Sequence, residues 1–525
     1  MSEYVFIDCN RIQEYVFASR RLKEICNASL LLSWIEDENI RDIAKRSRCK
    51  IIRAGGGVVI AECDSYQNAK DFEIKAINSY REYGISVTSQ IFPHLSSSPA
   101  DFYREVLMPM FREMQVRKSQ PCDNELIISS ILSVPCESSG IGNAENVVVL
   151  PGNKERRFNT SEAEKFIFDK KNPDNKYSEV EKQLIDYFKY SLPKDFGGIV
   201  SWNNREDIQI KEAGTSEKRI MGIIYADVNG LGKLTKNVGK NKDLYELFSP
   251  ELTKIIKDSL FESFKVVIEP AIKAKLPSPG ITALPVRVLY IGGDDLAVAI
   301  QGCFALDVAS SLLNTFEKKS KKLMETFKDI QESDNDLPEY LTMSAGVVLA
   351  PYNYPIQNFN HIGKELETRA KVYSRVSSDS IKPSLIDFCL IKNQTSGDLN
   401  SIRIRRMTKT DSGNVDLMLY GGPYTPDEII KLTETSLELI SDEFPMNKLK
   451  DLAILLAQKR DEAKKDYKLW YERLSDKNKD YIDTLTGRFS LNNDLPVKPN
   501  IIGDSTPIVD IIEMMEIFGL IEEGG

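Results

Sequence analysis

The chain has 525 residues, 42% of them apolar and 28% charged, and carries a net charge of −9. That length exceeds what one hydrophobic core supports and, at roughly 100 to 200 residues per domain, predicts three or four units. The acidic balance excludes a global basic field, so a polyanion has to be met by local patches, and only two histidines, His94 and His361, exclude histidine-rich metallohydrolases.

The first unit, 1–95, opens on the strand of "FIDCNRI" (6–12) and passes through a helical stretch to a strand pair around "RAGGGVVIA" (53–61). It closes on "GISVTSQIF" from Gly84. Residues 96–217 mix helical patterns with polar loops such as "CESSGIGNAEN" and "DKKNPDNKYSE", which mark an intermediate mixed domain. The third unit, 218–424, repeats the order of the first with "YADVNGL" (225–231), "YIGGDDLAVA" and "LTMSAGVVLA" from Leu341. Asp8 aligns with Asp227, Asn10 with Asn229, and Gly55 and Gly56 with Gly292 and Gly293. Two motifs recurring in one order within one β-α-α-β-β-α-β alternation predict a duplicated ferredoxin-like domain. From Pro426 on, "DEIIKLTETSLELI" and "LKDLAILLAQKRDEAKKDYKLWYERL" carry apolar residues at helical spacing, so 425–525 is expected to be a helical bundle. The fold class expected is therefore α+β.

No apolar run reaches the roughly 18 residues of a membrane span, and "MSEYVFIDCN" has no basic leader, so a cytoplasmic protein without membrane contact is expected. The eight cysteines (9, 26, 49, 63, 122, 136, 303, 389) form no Cys-x-x-Cys pair. This argues against a disulfide framework and a zinc ribbon, and reads most of them as small buried apolar residues.

The chemistry concentrates where two apolar strands each end at a carboxylate beside glycines. Burying the ionised Asp227 at the end of "IIYA" costs several kcal/mol unless a cation compensates, and the same conflict recurs at Asp294 and Asp295. In a ferredoxin-like topology the end of the first strand lies beside the next hairpin, so the three acids are predicted to meet. Mg²⁺ (or Mn²⁺) held by these carboxylates and by phosphate oxygens resolves the conflict, and two such ions suit nucleotidyl transfer. Asp227 and Asp294 take the direct roles, with Asp295 a second ligand or an orienting neighbour. Gly292 and Gly293 allow a tight turn and close approach to a ligand. Gly230 and Gly232 open a helix whose N–H groups favour anions, Lys233 adds a point charge, and Asn229 can reach ribose or phosphate. Lys371, on the helix after the last strand, is placed to reach the β and γ phosphates.

The motifs "YADVNGLGKL", "YIGGDDLAVA", "TMSAGVVLAP" and "RAKVYSR" resemble the second palm domain of the large subunit of type III CRISPR effector complexes. "IQEYVFASRRLKEICNASLLLSW" resembles that family's first palm domain. The resemblance implies palm, intermediate, palm and helical domains, and conversion of ATP, the substrate, to cyclic oligoadenylate by Asp227, Asp294 and Asp295. It also implies guide RNA and target RNA met through the complex, and other effector subunits as partners, the small subunit through the helical domain. Adenine enters only through this resemblance. Two departures follow: the family's N-terminal His-Asp nuclease domain is lacking, and zinc is not expected because Cys122 and Cys136 stand alone. In the first copy "GGGVV" puts Gly57 and Val58 where Asp294 and Asp295 stand, so that copy holds no metal pair. Gly55 and Gly56 can still let an acceptor nucleotide approach, or the domain serves packing alone. Rival readings are a non-catalytic scaffold, with basic stretches such as "RIRRMTK" (403–409), and a stand-alone cyclic dinucleotide synthetase.

Overall fold

The computed structural model describes residues 2–95, 99–119, 134–139, 143–150, 154–202, 219–274, 282–330, 337–378, 381–392, 398–409, 415–501 and 503–522. The first sheet holds β1 (Ser2–Cys9), β2 (Cys49–Gly55), β3 (Val58–Cys63) and β4 (Val87–Leu95) in the order β2-β3-β1-β4. A two-stranded ribbon, β5 (Asn146–Leu150) with β6 (Lys154–Phe158), belongs to the intermediate region. The second large sheet holds β7 (Ile220–Val228), β8 (Val286–Gly292), β9 (Asp295–Gln301), β10 (Met343–Pro351) and β11 (Leu385–Leu390) in the order β11-β10-β7-β9-β8. The fold is thus α+β, and apart from β11 the two sheets share one strand order.

The repeat extends to register. Asp8 pairs with Val58 across β1 and β3, and Asp227 pairs with Asp295 across β7 and β9. Asn10 donates to Ser86 Oγ at 3.1 Å and accepts from Thr88 Oγ1 at 3.1 Å; Asn229 donates to Thr342 Oγ1 at 3.1 Å and accepts from Ser344 Oγ at 2.8 Å. The asparagine of each Asp-x-Asn motif is a brace tying the end of one strand to its neighbour.

Helices α1 (Ile12–Val16), α2 (Leu22–Trp34) and α3 (Tyr66–Glu82) accompany the first sheet. Helices α4 (Leu231–Val238), α5 (Lys242–Lys273), α6 (Gly302–Ile330) and α7 (Ile356–Val376) accompany the second. β7 reads as a continuous apolar run because both of its faces are covered. Ile224, Ala226 and Val228 enter the core shared with α5 and α6, while Ile223 and Tyr225 enter a core shared with α7 and with Leu22 and Ile25 of α2.

Each domain lends a helix to the other. α2 lies against β8, where the Cys26 thiol donates to the Val288 carbonyl at 3.4 Å, and α5 lies against β2, where Lys50 meets Glu246 at 2.7 Å. This exchange brings the two glycine hairpins together: a Cβ on Gly56, whose φ is +64°, would stand 3.2 Å from the Cα and N of Gly293. Gly56→Ala is expected to cost about 1–3 kcal/mol, from the left-handed backbone and the crowding of backbone that cannot swing aside, and denaturant unfolding measures it.

Three sequence expectations are corrected here. Cys49 and Cys63 are disulfide-bonded, because the β2–β3 register places them directly opposite. Cys9, Cys26, Cys136, Cys303 and Cys389 are free and buried, and Cys122 lies outside the described residues. In the "RIRRMTK" stretch, Arg403 is buried against Asp387 at 2.9 Å and Arg406 reaches Glu513 at 2.5 Å, so these guanidinium groups serve the interior and not an RNA surface. Finally, a small sheet of strands 407–409, 415–418, 503–505 and 498–500 straddles position 424/425, since three- and four-residue strands leave no periodic signal. Beyond it the C-terminal region is helical over 426–441, 446–456, 460–472, 476–488 and 508–522. Among the described residues no helix is long and apolar enough to cross a membrane.

Candidate active site

Asp227 is the last but one residue of β7, Asp295 begins β9 directly opposite it, and Asp294 sits in the turn, its carbonyl accepting from Val228 N–H at 3.2 Å. The acids therefore cluster because an antiparallel ladder holds two of them in register and a hairpin supplies the third. The cluster separates two clefts. One, of about 660 Å³, lies within the second domain and is lined by Asp227, Asp294, Asn229, Gly230, Lys233 and Lys371. The other, of about 580 Å³, lies between the domains and is lined by all three acids with Gly56, Gln13 and Lys364. Asp227 and Asp294 face both.

Two lysines of α7 counter the acids. Lys371 Nζ stands 2.8 Å from Asp227 Oδ1, and Lys364 Nζ stands 3.8 Å from Asp295 Oδ2. Both are held by Glu367, 3% exposed, which takes one lysine on each oxygen at 2.8 Å. Positions 364, 367 and 371 share one helical face, so a single buried carboxylate sets an ammonium toward each cleft.

Burial pushes the Asp227 carboxyl up to about 7, against the pull of Lys371 and with the push of Asp294. Asp295 is pushed up to about 6, by burial foremost, with Lys364 opposing and Asp294 adding. Burial also raises Asp294, although Arg53 opposes it. Carboxylates that resist ionisation in a folded cleft leave it wanting positive charge. They also make metal-free stability depend on pH: a raised folded pKa contributes stability that is fully present below the unfolded value near 4 and is lost as pH rises through about 6 to 7. Asp227→Asn, which mimics the neutral acid, is expected to be more stable than the unsubstituted protein at pH 8 in the presence of chelator, by on the order of a few kcal/mol, with the gap shrinking as pH falls and closing below about pH 4.

The remaining motif residues separate by what they touch. Gly230 caps α4 with φ +69°, a conformation that favours glycine and turns the N-terminus of α4 to the cleft, while a Cβ on Gly232 would meet nothing within 4 Å. Lys233 is exposed on the cleft wall. Asn229 lines the cleft but its amide is engaged as the brace, and the same brace in the acid-less first domain assigns that contact to the fold. Gly292 leaves room for the Tyr290 hydroxyl, and Gly293 meets Gly56. Gly55 lines neither cleft, and Asp8, the counterpart of Asp227, is bound by Lys118 at 2.6 Å.

Sequence reasoning missed Gln13, Tyr290, Lys364 and Glu367. Only the 364/367/371 spacing carried a signal, and it is equally that of a solvated helix face.

Residues 220–378 match the family model described as Cas10/Cmr2, second palm domain. No curated protein matches the chain. Among solved structures, a Csm1–Csm4 cassette in complex with cA4 superposes with a TM-score of 0.57 at 14% identity, over 99% of this chain and 70% of that one. The cassette with pppApA gives 0.57 at 13% identity over 99% and 69%, and the apo cassette 0.55 at 14% identity over 99% and 70%. At these identities the likeness to the solved structures is one of fold. Residues 220–378 are thus similar to a Cas10/Cmr2 second palm domain, and the chain shares its fold with a chain of these cassettes.

Proposed function

We propose that this chain is the large subunit of a type III CRISPR RNA-guided complex, and that its second palm domain is a nucleotidyltransferase converting ATP, with loss of pyrophosphate, to cyclic oligoadenylate. The observation that carries the reading is the acid cluster itself: Asp227 and Asp294 are shared between two clefts, each with its own lysine. Two nucleotides bound one per cleft would present an attacking hydroxyl and an α-phosphate on either side of the same carboxylates. The fold neighbours include cassettes solved with cA4 and with pppApA, which agrees with this substrate class.

Mg²⁺ or Mn²⁺ fits the donor set. All donors are hard oxygens; among the described residues no group of three or more His, Cys, Asp or Glu side chains is placed to hold a metal ion unaided, so phosphate oxygens would have to complete the shell. Asp227 and Asp294 would hold it, with Asp295 a further ligand or an orienting neighbour; when bound, such an ion neutralises the triphosphate and lowers the pKa of the attacking hydroxyl. Lys371 and Lys233 would take phosphate oxygens beside the N-terminus of α4. The helices after 425 are the docking face proposed for a small subunit, and guide and target RNA are met through the complex.

Incubation with ATP and Mg²⁺ or Mn²⁺, alone and with guide and target RNA, should yield cyclic products, whose mass separates oligoadenylate from a cyclic dinucleotide. One observation favours a scaffold instead: Lys371 and Lys364 already stand against Asp227 and Asp295, at 2.8 and 3.8 Å. A scaffold makes no product in any condition, with Asp294→Asn behaving identically, and that result overturns the enzymatic reading.

A further inference from the structure

One contact crosses from the first domain into the acid cluster: Gln13 Nε2 donates to Asp295 Oδ2 at 2.9 Å, across 282 positions of sequence. Asp295 is ringed by donors from three elements. Besides Gln13 of α1, the Tyr290 hydroxyl of β8 faces the same carboxylate, in space that Gly292 leaves open, since a Cβ there would lie 1.8 Å from the hydroxyl oxygen. Lys364 of α7 approaches Oδ2 at 3.8 Å. The other acids differ. Asp227 gives one oxygen to Lys371, and among the described residues no side chain hydrogen-bonds to Asp294.

Gln13 is itself firmly seated. A Cβ on Gly57 would fall 1.9 Å from Cδ1 of the neighbouring Ile12, so α1 rests on the first domain's hairpin. Gly57 N–H donates to the buried Glu36 at 2.7 Å, and Gly56 abuts Gly293. Glu36, Gly57, Ile12 and Gln13 form an unbroken line of contacts from the interior of the first domain to Asp295.

We propose that Asp295 is a positioning residue and not a metal ligand, and that Gln13 holds it in place on behalf of the acid-less first domain. Gln13 takes a lone pair of Asp295 Oδ2, with the Lys364 ammonium and the Tyr290 hydroxyl beside the same carboxylate, whereas Asp294, with no side-chain hydrogen bond among the described residues, keeps its oxygens for an ion at both clefts. The first domain then contributes to catalysis by fixing the second domain's acids, whether or not it binds nucleotide. This rests on the nucleotidyl-transfer reading.

The test compares Gln13→Leu, Asp295→Asn, their double variant and Asp294→Asn in the full chain, reading Mn²⁺ binding by electron paramagnetic resonance, steady-state kinetics and melting temperature. Mn²⁺ binding is expected to survive in Gln13→Leu and Asp295→Asn and to be lost in Asp294→Asn. Each of the first two should lower kcat about 10- to 100-fold with KM for ATP within about twofold, and the double variant should fall no further than Asp295→Asn alone. Gln13 is only half-buried, so melting should shift by no more than about 2 °C. Loss of Mn²⁺ in Asp295→Asn, or losses that multiply in the double variant, overturns the inference while the enzymatic reading stands. An unsubstituted protein that neither binds Mn²⁺ nor makes product overturns both.

Discussion

Asp294→Asn is expected to reduce product formation on the order of 10³-fold or more, with the fold intact. The asparagine is isosteric and removes one charge from a cluster that burial already disfavours, so the metal-free protein should melt no lower than the unsubstituted chain. What is lost is the one carboxylate that opens onto both clefts without a side-chain hydrogen bond of its own. Groups that act as a unit around one reacting centre are grossly non-additive, so Asp294→Asn combined with Asp227→Asn should be scarcely worse than either alone. Product quantified over time, with Mn²⁺ binding measured in parallel, checks the pair. Full activity in Asp294→Asn would move the chemistry to another part of the molecule.

That prediction comes almost wholly from residues legible in the sequence, because local conflict is visible locally. An apolar run ending in aspartate beside glycine breaks the pattern of a buried strand, and the same break twice in one order fixes both the repeat and the hairpin register. The rest depended on contacts between domains. Gln13 is an ordinary polar residue of a one-turn helix until the exchange of α2 and α5 brings α1 over β9. Glu367 reads as a helix-surface acid, and only the packing of α7 on β10, β11 and β7 makes it a buried post for two lysines. Arg403 and Arg406 of the basic stretch at 403–409 mislead in the opposite direction, since charge along a sequence says nothing of the Asp387 and Glu513 that wait in the interior. Cys49 and Cys63 became a pair through register, which spacing alone does not give.

Lys371→Met should separate two roles that one ammonium serves. Toward the ligand, a charge-assisted bond to phosphate is worth about 1.5–3 kcal/mol, so KM for ATP should rise roughly 10- to 100-fold. Toward the protein, Lys371 restrains the upward push of burial on Asp227, and without it that carboxyl climbs above its present value of about 7. Asp227 would then be largely protonated in the metal-free protein at neutral pH, and the rising limb of Mn²⁺ binding against pH should move to higher pH, by a unit or so if the lost pair is worth about 1.4 kcal/mol. Lys371→Arg keeps the charge and so should hold the pH limb, while its broader guanidinium, fitted less well beside Glu367, leaves KM only partly restored. A Lys371 that serves packing alone would lower stability in both variants and leave the pH limb where it was. The shift in that limb, present in the methionine variant and absent in the arginine variant, therefore reports the ion pair with Asp227 independently of how tightly the nucleotide is held.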